Sequence, residues 1–135
     1  MKAIYFLIFI PVFFISCDKE NISETFSLGL QHDFKIYGEY QTTDHSLKFT
    51  ITEINDSRCP SDVVCVWEGK ADVKIEVESP LAGSIVLSTH QSSVYTSIDT
   101  LGNYSFQLMD VSPYPISTKT IQLEDYKVTL QIEKL

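Results

Sequence analysis

Four stretches of the chain alternate between apolar and polar residues, which is the pattern of a β-strand with one buried face. The alternation puts the apolar side chains of each stretch on a single face, so we predict that they form the core. They are Leu47, Phe49, Ile51, Val73, Ile75, Val77, Phe106, Leu108, Val128, Leu130 and Ile132. Less regular strands are predicted at 25–31, 33–38, 63–68, 84–89 and 94–98.

Turn residues separate these stretches, as Pro80 and Gly83 do between the strand that ends near residue 78 and the strand predicted at 84–89. No long window has the 3.6-residue period of an amphipathic helix, and the best helical candidate is a turn around Pro60–Val63. Short strands with one wet face favour two packed layers. The sequence therefore predicts an all-β protein, a single antiparallel β-sandwich of the immunoglobulin-like or Greek-key type, or a partly open barrel.

The N-terminus has a different pattern. Lys2 is followed by an apolar run over 3–15, which is short for a membrane span and typical of a secretory signal peptide. The run ends at Ser16-Cys17, which resembles a bacterial lipobox and implies cleavage before Cys17 and lipid attachment to that residue; the alternative is an ordinary signal peptide. We expect a lipoprotein signal peptide over 1–16, a lipidated polar tether over 17–24 and a β-sandwich domain over 25–135.

The cysteine count fits this organisation. If Cys17 carries lipid, Cys59 and Cys65 remain, and in an oxidising compartment a disulfide between them is the default expectation. Such a bridge closes a short loop and would add about 2.4 kcal/mol of stability by the chain-entropy relation. A metal site and a redox dithiol are the alternatives. Zinc would need two further ligands, and redox pairs usually have two residues between the cysteines, where this chain has five.

The cysteine segment carries the most specific motif in the chain. Asp-Ser-Arg-Cys-Pro over 56–60, followed by Val-x-Cys-Val-Trp-x-Gly over 63–69, resembles the signature of small uncharacterised bacterial lipoproteins, found especially among the Bacteroidetes. The resemblance extends to the lipobox and the strands on either side of the motif. It implies an all-β exported domain, placed at the cell envelope as an outer membrane lipoprotein with its periplasmic or surface-facing orientation undecided. It implies no activity.

Two residues of this segment are candidates for binding. Arg58 is the only arginine, with Asp56, Asp62 and Glu68 as local partners. It would either tie the cysteine loop to a neighbouring strand or form a ligand site with Trp67 beside it. We expect Trp67 to pack in the core, since a Trp beside a disulfide is a common packing pair in sandwiches.

Several tyrosines are further candidates, because Tyr40, Tyr95 and Tyr114 lie outside the four regular strands, where exposed rings would suit a protein or glycan partner. The alternative is that each one caps the core or fills a loop. Tyr126 begins the last strand, so we expect a structural role like that of a tyrosine corner. The loops that we expect to meet a ligand are 39–46, 56–62, 90–96 and 112–118, which also contain His45 and His90.

The net charge and the absence of known catalytic motifs narrow the range of function classes that fit the sequence. The 135 residues include 18 acidic and 10 basic side chains, a formal net charge of −8 that becomes −9 if Lys2 leaves with the signal peptide. The acidic balance argues against nucleic acid as a partner. No hydrolase, metalloprotease or phosphate-loop motif is present, so we expect no catalytic residues, no metal and no cofactor.

These observations favour a lipid-anchored, monomeric, non-enzymatic binding module of the cell envelope. Its partner would be a protein or a glycan, and one form would be an inhibitor that presents the loop over 59–65. The alternative is an envelope hydrolase assembled from scattered carboxylates and histidines.

Overall fold

The computed structural model describes residues 23–135, so the predicted signal peptide over 1–16, Cys17 and most of the predicted tether lie outside the described residues. Regular structure in the described part consists of strands and one short 3₁₀ helix at Leu123–Asp125. The strands are β1 (Glu24–Phe26), β2 (Gln31–Phe34), β3 (Glu39–Thr42), β4 (Lys48–Asp56), β5 (Ala71–Ser79), β6 (Gly83–Ser88), β7 (Ile98–Leu101), β8 (Tyr104–Ser112) and β9 (Lys127–Lys134).

The strands form two sheets that are packed face to face and not closed into a barrel, which confirms the predicted sandwich. The first sheet has the order β1-β3-β4-β5-β6, and the second has the order β2-β9-β8-β7. Neighbouring strands are antiparallel with one exception, since β1 pairs with β3 in parallel. At this edge β1 and β3 are parallel because the chain crosses to the second sheet for β2 before it returns as β3.

Every side chain predicted for the core is buried, so the period-two pattern located the inner faces of β4, β5, β8 and β9 correctly. The core also contains a set of aromatic rings that mostly pack edge to face, which is a favoured geometry for aromatic pairs. Phe49 lies at the centre of this aromatic cluster, with its ring centroid 5.2–6.0 Å from those of its four partners Phe26, Phe34, Tyr40 and Phe106. The partners from β1, β2 and β3 come from strands too short to show a period.

The irregular strands differ from their predictions. The segment 63–68 is a loop, because Cys65 is bonded back to Cys59 and the segment cannot extend. The strand predicted at 94–98 lies at Ile98–Leu101, since Tyr95 closes a turn with Ser92 and pairing with β8 begins only at Ser97. Strand β1 begins at Glu24, inside the segment predicted as tether.

The two ends of the sandwich are built differently. At one end, which we call the turn end, short connections at 43–47, 80–82 and 102–103 join consecutive strands. At the other, which we call the loop end, the connections span 57–70, 89–97 and 113–126 and carry the short helix. Over residues 23–135, no helix has the length and apolar character needed to cross a membrane.

Candidate functional site

The loop over 57–70 continues the β4–β5 hairpin beyond the sheet. The backbone N–H of Ser57 donates to the Lys70 carbonyl at 2.8 Å, and the N–H of Cys59 donates to the Glu68 carbonyl at 2.9 Å. Gly69 makes this continuation possible, because its φ is +73° and a Cβ there would collide with the Ser57 carbonyl oxygen. The hairpin therefore projects the residues between 60 and 67 outward from the end of the sandwich.

A disulfide between Cys59 and Cys65 closes this projection, as predicted. The two Cα atoms lie 5.9 Å apart, and a turn forms inside the ring, where the N–H of Val63 donates to the Pro60 carbonyl at 3.3 Å. With both sulfurs in one bond, neither thiol is available as a metal ligand. The loop is therefore constrained by a covalent ring as well as by the hairpin beneath it.

A buried ion pair lies directly below the disulfide. The Arg58 guanidinium donates to both carboxylate oxygens of Asp56, through Nε at 2.8 Å and Nη2 at 2.7 Å, and both side chains are almost fully buried. Burial raises the pKa of the Asp56 carboxyl, but the hydrogen bonds and charge of Arg58 outweigh it, so the pKa is lowered. Burial lowers the pKa of Arg58, and the hydrogen bonds and charge of Asp56 outweigh it, so the pKa is raised. Both groups are charged at neutral pH.

Arg58 also ties the loop to the second sheet. Its Nη1 donates to the Val111 carbonyl at 2.7 Å and its Nη2 to the Pro113 carbonyl at 3.2 Å, both at the end of β8. The guanidinium carbon lies 4.5 Å from the ring centroid of Tyr114, within cation–π range. Of the three partners considered for Arg58, the structure selects Asp56 and adds two backbone carbonyls from a distant strand. Arg58 thus has the tying role that we considered for it.

Tyr126 completes this buried cluster, because its hydroxyl donates to Asp56 at 3.0 Å. Burial and the hydrogen bond to the Asp56 carboxylate raise the pKa of Tyr126 to about 12. A structural position was expected for Tyr126, but the partner differs from that of a tyrosine corner, where the hydroxyl bonds to backbone. Asp56, Arg58 and Tyr126 together join β4, β8 and the start of β9.

The loop over 113–126 is fastened to the disulfide loop a second time. Asp62 accepts hydrogen bonds from the N–H of Ser117 at 2.8 Å and from its hydroxyl at 2.6 Å. The N–H of Ser61 donates to the Pro115 carbonyl at 3.0 Å. The hydrogen bonds from Ser117 lower the pKa of the Asp62 carboxyl, so Asp62 is ionised at neutral pH. Asp62 therefore binds Ser117 of this loop and is not a partner of Arg58.

The loop over 89–97 is fastened from the other side. The Lys70 ammonium lies 3.8 Å from the ring centroid of Tyr95 and also forms an ion pair with Asp72. The N–H of Ser88 donates to the Thr96 carbonyl at 2.8 Å. Tyr95 is partly exposed, with Lys70 against its ring. The three loops of the loop end therefore meet.

A cleft of about 370 Å³ opens where the three loops meet the outer face of β8. It is lined by Arg58, Glu68, Gly69, Thr89, His90, Gln91, Ser97, Leu108, Met109, Asp110 and Tyr114. Several lining side chains are occupied: Thr89 accepts a hydrogen bond from the Ala71 N–H, and the Gln91 amide donates to Ser97. Within residues 23–135, the side chains of Glu68, His90 and Asp110 have neither a hydrogen bond nor an ion pair. These three polar groups are available to a ligand.

Beside the cleft, the disulfide loop presents an apolar tip. We use this name for Val64, Val66 and Trp67, which are 100%, 91% and 82% exposed. The expectation that Trp67 packs in the core is wrong, because the disulfide and the hairpin hold residues 60–67 away from both sheets. Trp67 directly precedes Glu68, which lines the cleft, so the apolar tip and the cleft are neighbours along the chain.

The fold brings some of the predicted binding residues together at the cleft and places others elsewhere. Arg58, Tyr114 and His90 line the cleft, and Tyr95 lies next to it. Tyr40 does not join them: it is buried in the core, where its hydroxyl accepts from the Lys35 N–H at 2.6 Å and donates to the Lys35 carbonyl at 3.1 Å. The interpretation of Tyr40 as an exposed binding residue is therefore wrong, because β3 turns its ring inward against Phe34 and Phe49.

His45 is also separate, since it lies in the connection over 43–47 at the turn end and its ring bonds to Gln41. Two residues of the cleft, Met109 and Asp110, were not considered from the sequence. A β-bulge between Leu108 and Asp110 leaves Met109 and Asp110 exposed and returns Val111 to the core. The interval of three residues between the apolar positions Leu108 and Val111 was the signal for this bulge.

Among the described residues, no three side chains of His, Cys, Asp and Glu lie close enough together to hold a metal ion. No protein-family model, no curated protein and no solved structure matches the chain.

Proposed function

We propose that the protein is a non-enzymatic binding module of the bacterial cell envelope, held to the membrane by lipid on Cys17, which contacts a partner through its loop end. The observation that carries this proposal is the apolar tip, three almost fully exposed apolar side chains within four consecutive residues. Exposed apolar residues that are scattered singly are ordinary, whereas grouped ones mark interaction sites. Trp is also among the residues most enriched in binding hot spots.

The way the tip is held supports the same proposal. Its base is fixed by the disulfide, by the Arg58–Asp56 pair and by the Asp62–Ser117 hydrogen bonds. A loop that is ordered before binding loses less conformational entropy when a partner covers it. A rigid apolar loop of this kind suits insertion into a pocket on another protein, as inhibitor loops do.

The proposed location rests on the N-terminal sequence and on the disulfide. Disulfides persist in exported proteins and are rare in the cytosol. The apolar run over 3–15, the lipobox-like end at Cys17 and the motif over 56–69 together favour membership of the Bacteroidetes-type lipoproteins that the chain resembles.

A photo-crosslinking amino acid tests the contact surface. We would place it at position 64 in the apolar tip and, as a matched control, at position 81, where Leu81 is an exposed apolar residue of the turn end. In the native host, we expect irradiation to give a discrete adduct from position 64 and none from position 81. Equal labelling from both positions, or none from position 64, contradicts the proposal.

The membrane anchor is tested by Cys17→Ala. We expect this variant to move from the membrane fraction to the soluble fraction, because the lipid has lost its attachment site, while Cys59 and Cys65 stay oxidised. A Cys17→Ala protein that remains with the membrane after a carbonate wash contradicts lipid anchoring at this residue.

A hydrolase is the second candidate, and the observation in its favour is that Glu68, His90 and Asp110 line one cleft. Carboxylates and histidine are groups that acid–base catalysis uses. A panel of chromogenic glycosides and esters tests this candidate. Turnover that disappears in both Glu68→Gln and Asp110→Asn would favour the enzyme over the binding module.

A further inference from the structure

The charges at the loop end are unevenly compensated. Arg58 is the one lining residue with a permanent positive charge, and Asp56 neutralises it. Lys70, next to Gly69 at the edge of the cleft, is paired with Asp72 and lies against Tyr95. Within residues 23–135, the carboxylates of Glu68 and Asp110 have no cationic partner. The net charge left in the cleft is therefore negative.

The apolar tip adds a second feature at the same place. Glu68 follows Trp67 directly, so a carboxylate of the cleft and the exposed indole belong to neighbouring residues. A ligand that satisfied both features would carry a positive charge next to apolar surface. A polypeptide segment with a lysine or arginine between apolar residues has this composition.

We propose, on the basis of the proposed binding function, that the cleft and the apolar tip form one site for a basic polypeptide segment of a partner protein. A lysine or arginine side chain enters the cleft and pairs with Glu68 and Asp110. The apolar neighbours of that side chain on the partner pack against Val66 and Trp67. The apolar tip alone would suit many partners, and the cleft makes the site selective for a cation.

The walls of the cleft fit a long cationic side chain. Leu108 and Met109 supply apolar surface for the methylene stem, which Lys and Arg bury while their charged heads stay hydrogen-bonded. Tyr114 is an aromatic wall whose ring already attracts the Arg58 guanidinium at 4.5 Å. Carboxylates bind a guanidinium or ammonium through charge-assisted hydrogen bonds, which are about twice as strong as neutral ones.

Charge separates this ligand from the other candidates. A neutral glycan would leave both carboxylates without a cation. An anionic membrane would be repelled by a chain of net charge −8 whose loop-end acids Glu68 and Asp110 stand next to the tip. A basic polypeptide segment is the ligand class whose positive charge neutralises the carboxylates of the cleft and whose apolar residues cover the apolar tip.

The test uses a defined peptide, acetyl-Leu-Arg-Leu-amide, and a control in which citrulline, the neutral analogue of arginine, replaces the arginine. The full chain is titrated with each peptide. Binding is followed by the amide chemical shifts of residues 23–135 and by the fluorescence of Trp67, the only tryptophan. We expect the arginine peptide to shift the amides of Glu68, His90 and Asp110 and to move the Trp67 emission to shorter wavelength. We expect the citrulline peptide to bind about tenfold more weakly.

Matched variants locate the charge. We expect Glu68→Gln with Asp110→Asn to reduce affinity for the arginine peptide about tenfold. The control is Glu53→Gln with Glu124→Gln, which makes the same charge change at exposed positions that do not line the cleft, and we expect it to keep the parent affinity. Because all four side chains are exposed, loss of folding is not expected to confuse the result, and unchanged backbone shifts elsewhere verify the fold.

Three results overturn the proposal: equal binding of the arginine and citrulline peptides, saturation of the same shifts by the neutral disaccharide cellobiose in place of the peptide, or a Trp67 response to phosphatidylcholine vesicles alone. If the adduct from position 64 forms in cells while the arginine peptide does not bind, the basic ligand is wrong and the binding module stands. If that adduct is absent, the binding module itself is wrong.

Discussion

The turn end and the loop end close the same two sheets by different means. At the turn end, the connections are short and most of their hydrogen bonds are local, as where Asp44 accepts from the N–H and hydroxyl of Ser46; a long-range bond is also present, in which the Tyr104 hydroxyl donates to Ser46. At the loop end, the connections are long: a disulfide and a buried ion pair hold the loop over 57–70, and long-range hydrogen bonds and two cation–π contacts join that loop to the other two. Joining antiparallel strands requires only a few residues. The additional chain at the loop end is therefore not needed to close the fold, which supports placing function there.

The largest expected effect concerns the core that both ends share. Phe49→Ala removes the central ring of the aromatic cluster and leaves a cavity, so we expect the free energy of unfolding to fall by about 4 kcal/mol. Urea denaturation followed by far-UV circular dichroism measures this loss. The turn end and the loop end should unfold in one transition; two separate transitions would mean that they are independent units.

The next effect is confined to the loop end. Arg58→Met removes the cation from Asp56, which is then buried without its partner, so we expect a loss of about 3 kcal/mol. The Ser117 amide and the Tyr126 hydroxyl proton should shift in nuclear magnetic resonance spectra, while Ser46 at the turn end stays unchanged. Shifts spread equally over both ends would contradict the local role of Arg58.

The disulfide makes a smaller contribution to the same end. Replacing Cys59 and Cys65 together with serine opens the ring and should cost about 2.4 kcal/mol by the chain-entropy relation for a loop of this length. We also expect the adduct from position 64 to weaken, since the apolar tip loses its constraint. The parent protein, unfolded without reductant, should show no reactive thiol over the described residues.

Acid should weaken the loop end more than the turn end. The pKa of Asp56 in the folded protein lies below its ordinary value of 3.8, so its contribution to stability is full above that value and is lost as the pH falls through the lower, folded value. The hydrogen bonds from Thr42 and Ser46 lower the pKa of Asp44 to about 2, but Asp44 is exposed, and we expect its contribution to be the smallest. Unfolding measured at neutral and acid pH should lose part of its pH dependence in Asp56→Asn and keep it in Asp44→Asn.

Sequence periodicity was sufficient to predict the buried side chains where strands were long and one face was buried. Phe49 and Ile51 in β4 were located because a nine-residue strand repeats its pattern. Tyr40 in the four-residue β3 has too few neighbours for a period, so its burial could not be predicted.

The candidate site was predicted in part. The Cys59–Cys65 bond and the Asp56 partner of Arg58 are close in sequence, and both were among the predictions. The Val111 carbonyl that accepts from Arg58 lies 53 residues away, and strand order is not encoded in local pattern. The prediction that Trp67 packs in the core was wrong because Trp67 lies in a loop that leaves the sheets. An alternating pattern of apolar and polar residues predicts burial only within strands.

Strand β9 lies between β2 and β8, so residues 127–134 form an interior strand of the second sheet, although they come last among the described elements. Its pairing with β2 joins Gln31 to Gln131 and His32 to Leu130 across most of the chain. Contacts between residues so distant in sequence are slow to form, because the closure entropy of a long loop must be overcome before they contribute. During synthesis, the second sheet cannot assemble until residue 134 has been added. The second sheet is therefore completed only after β9 has been synthesised, and not strand by strand in chain order.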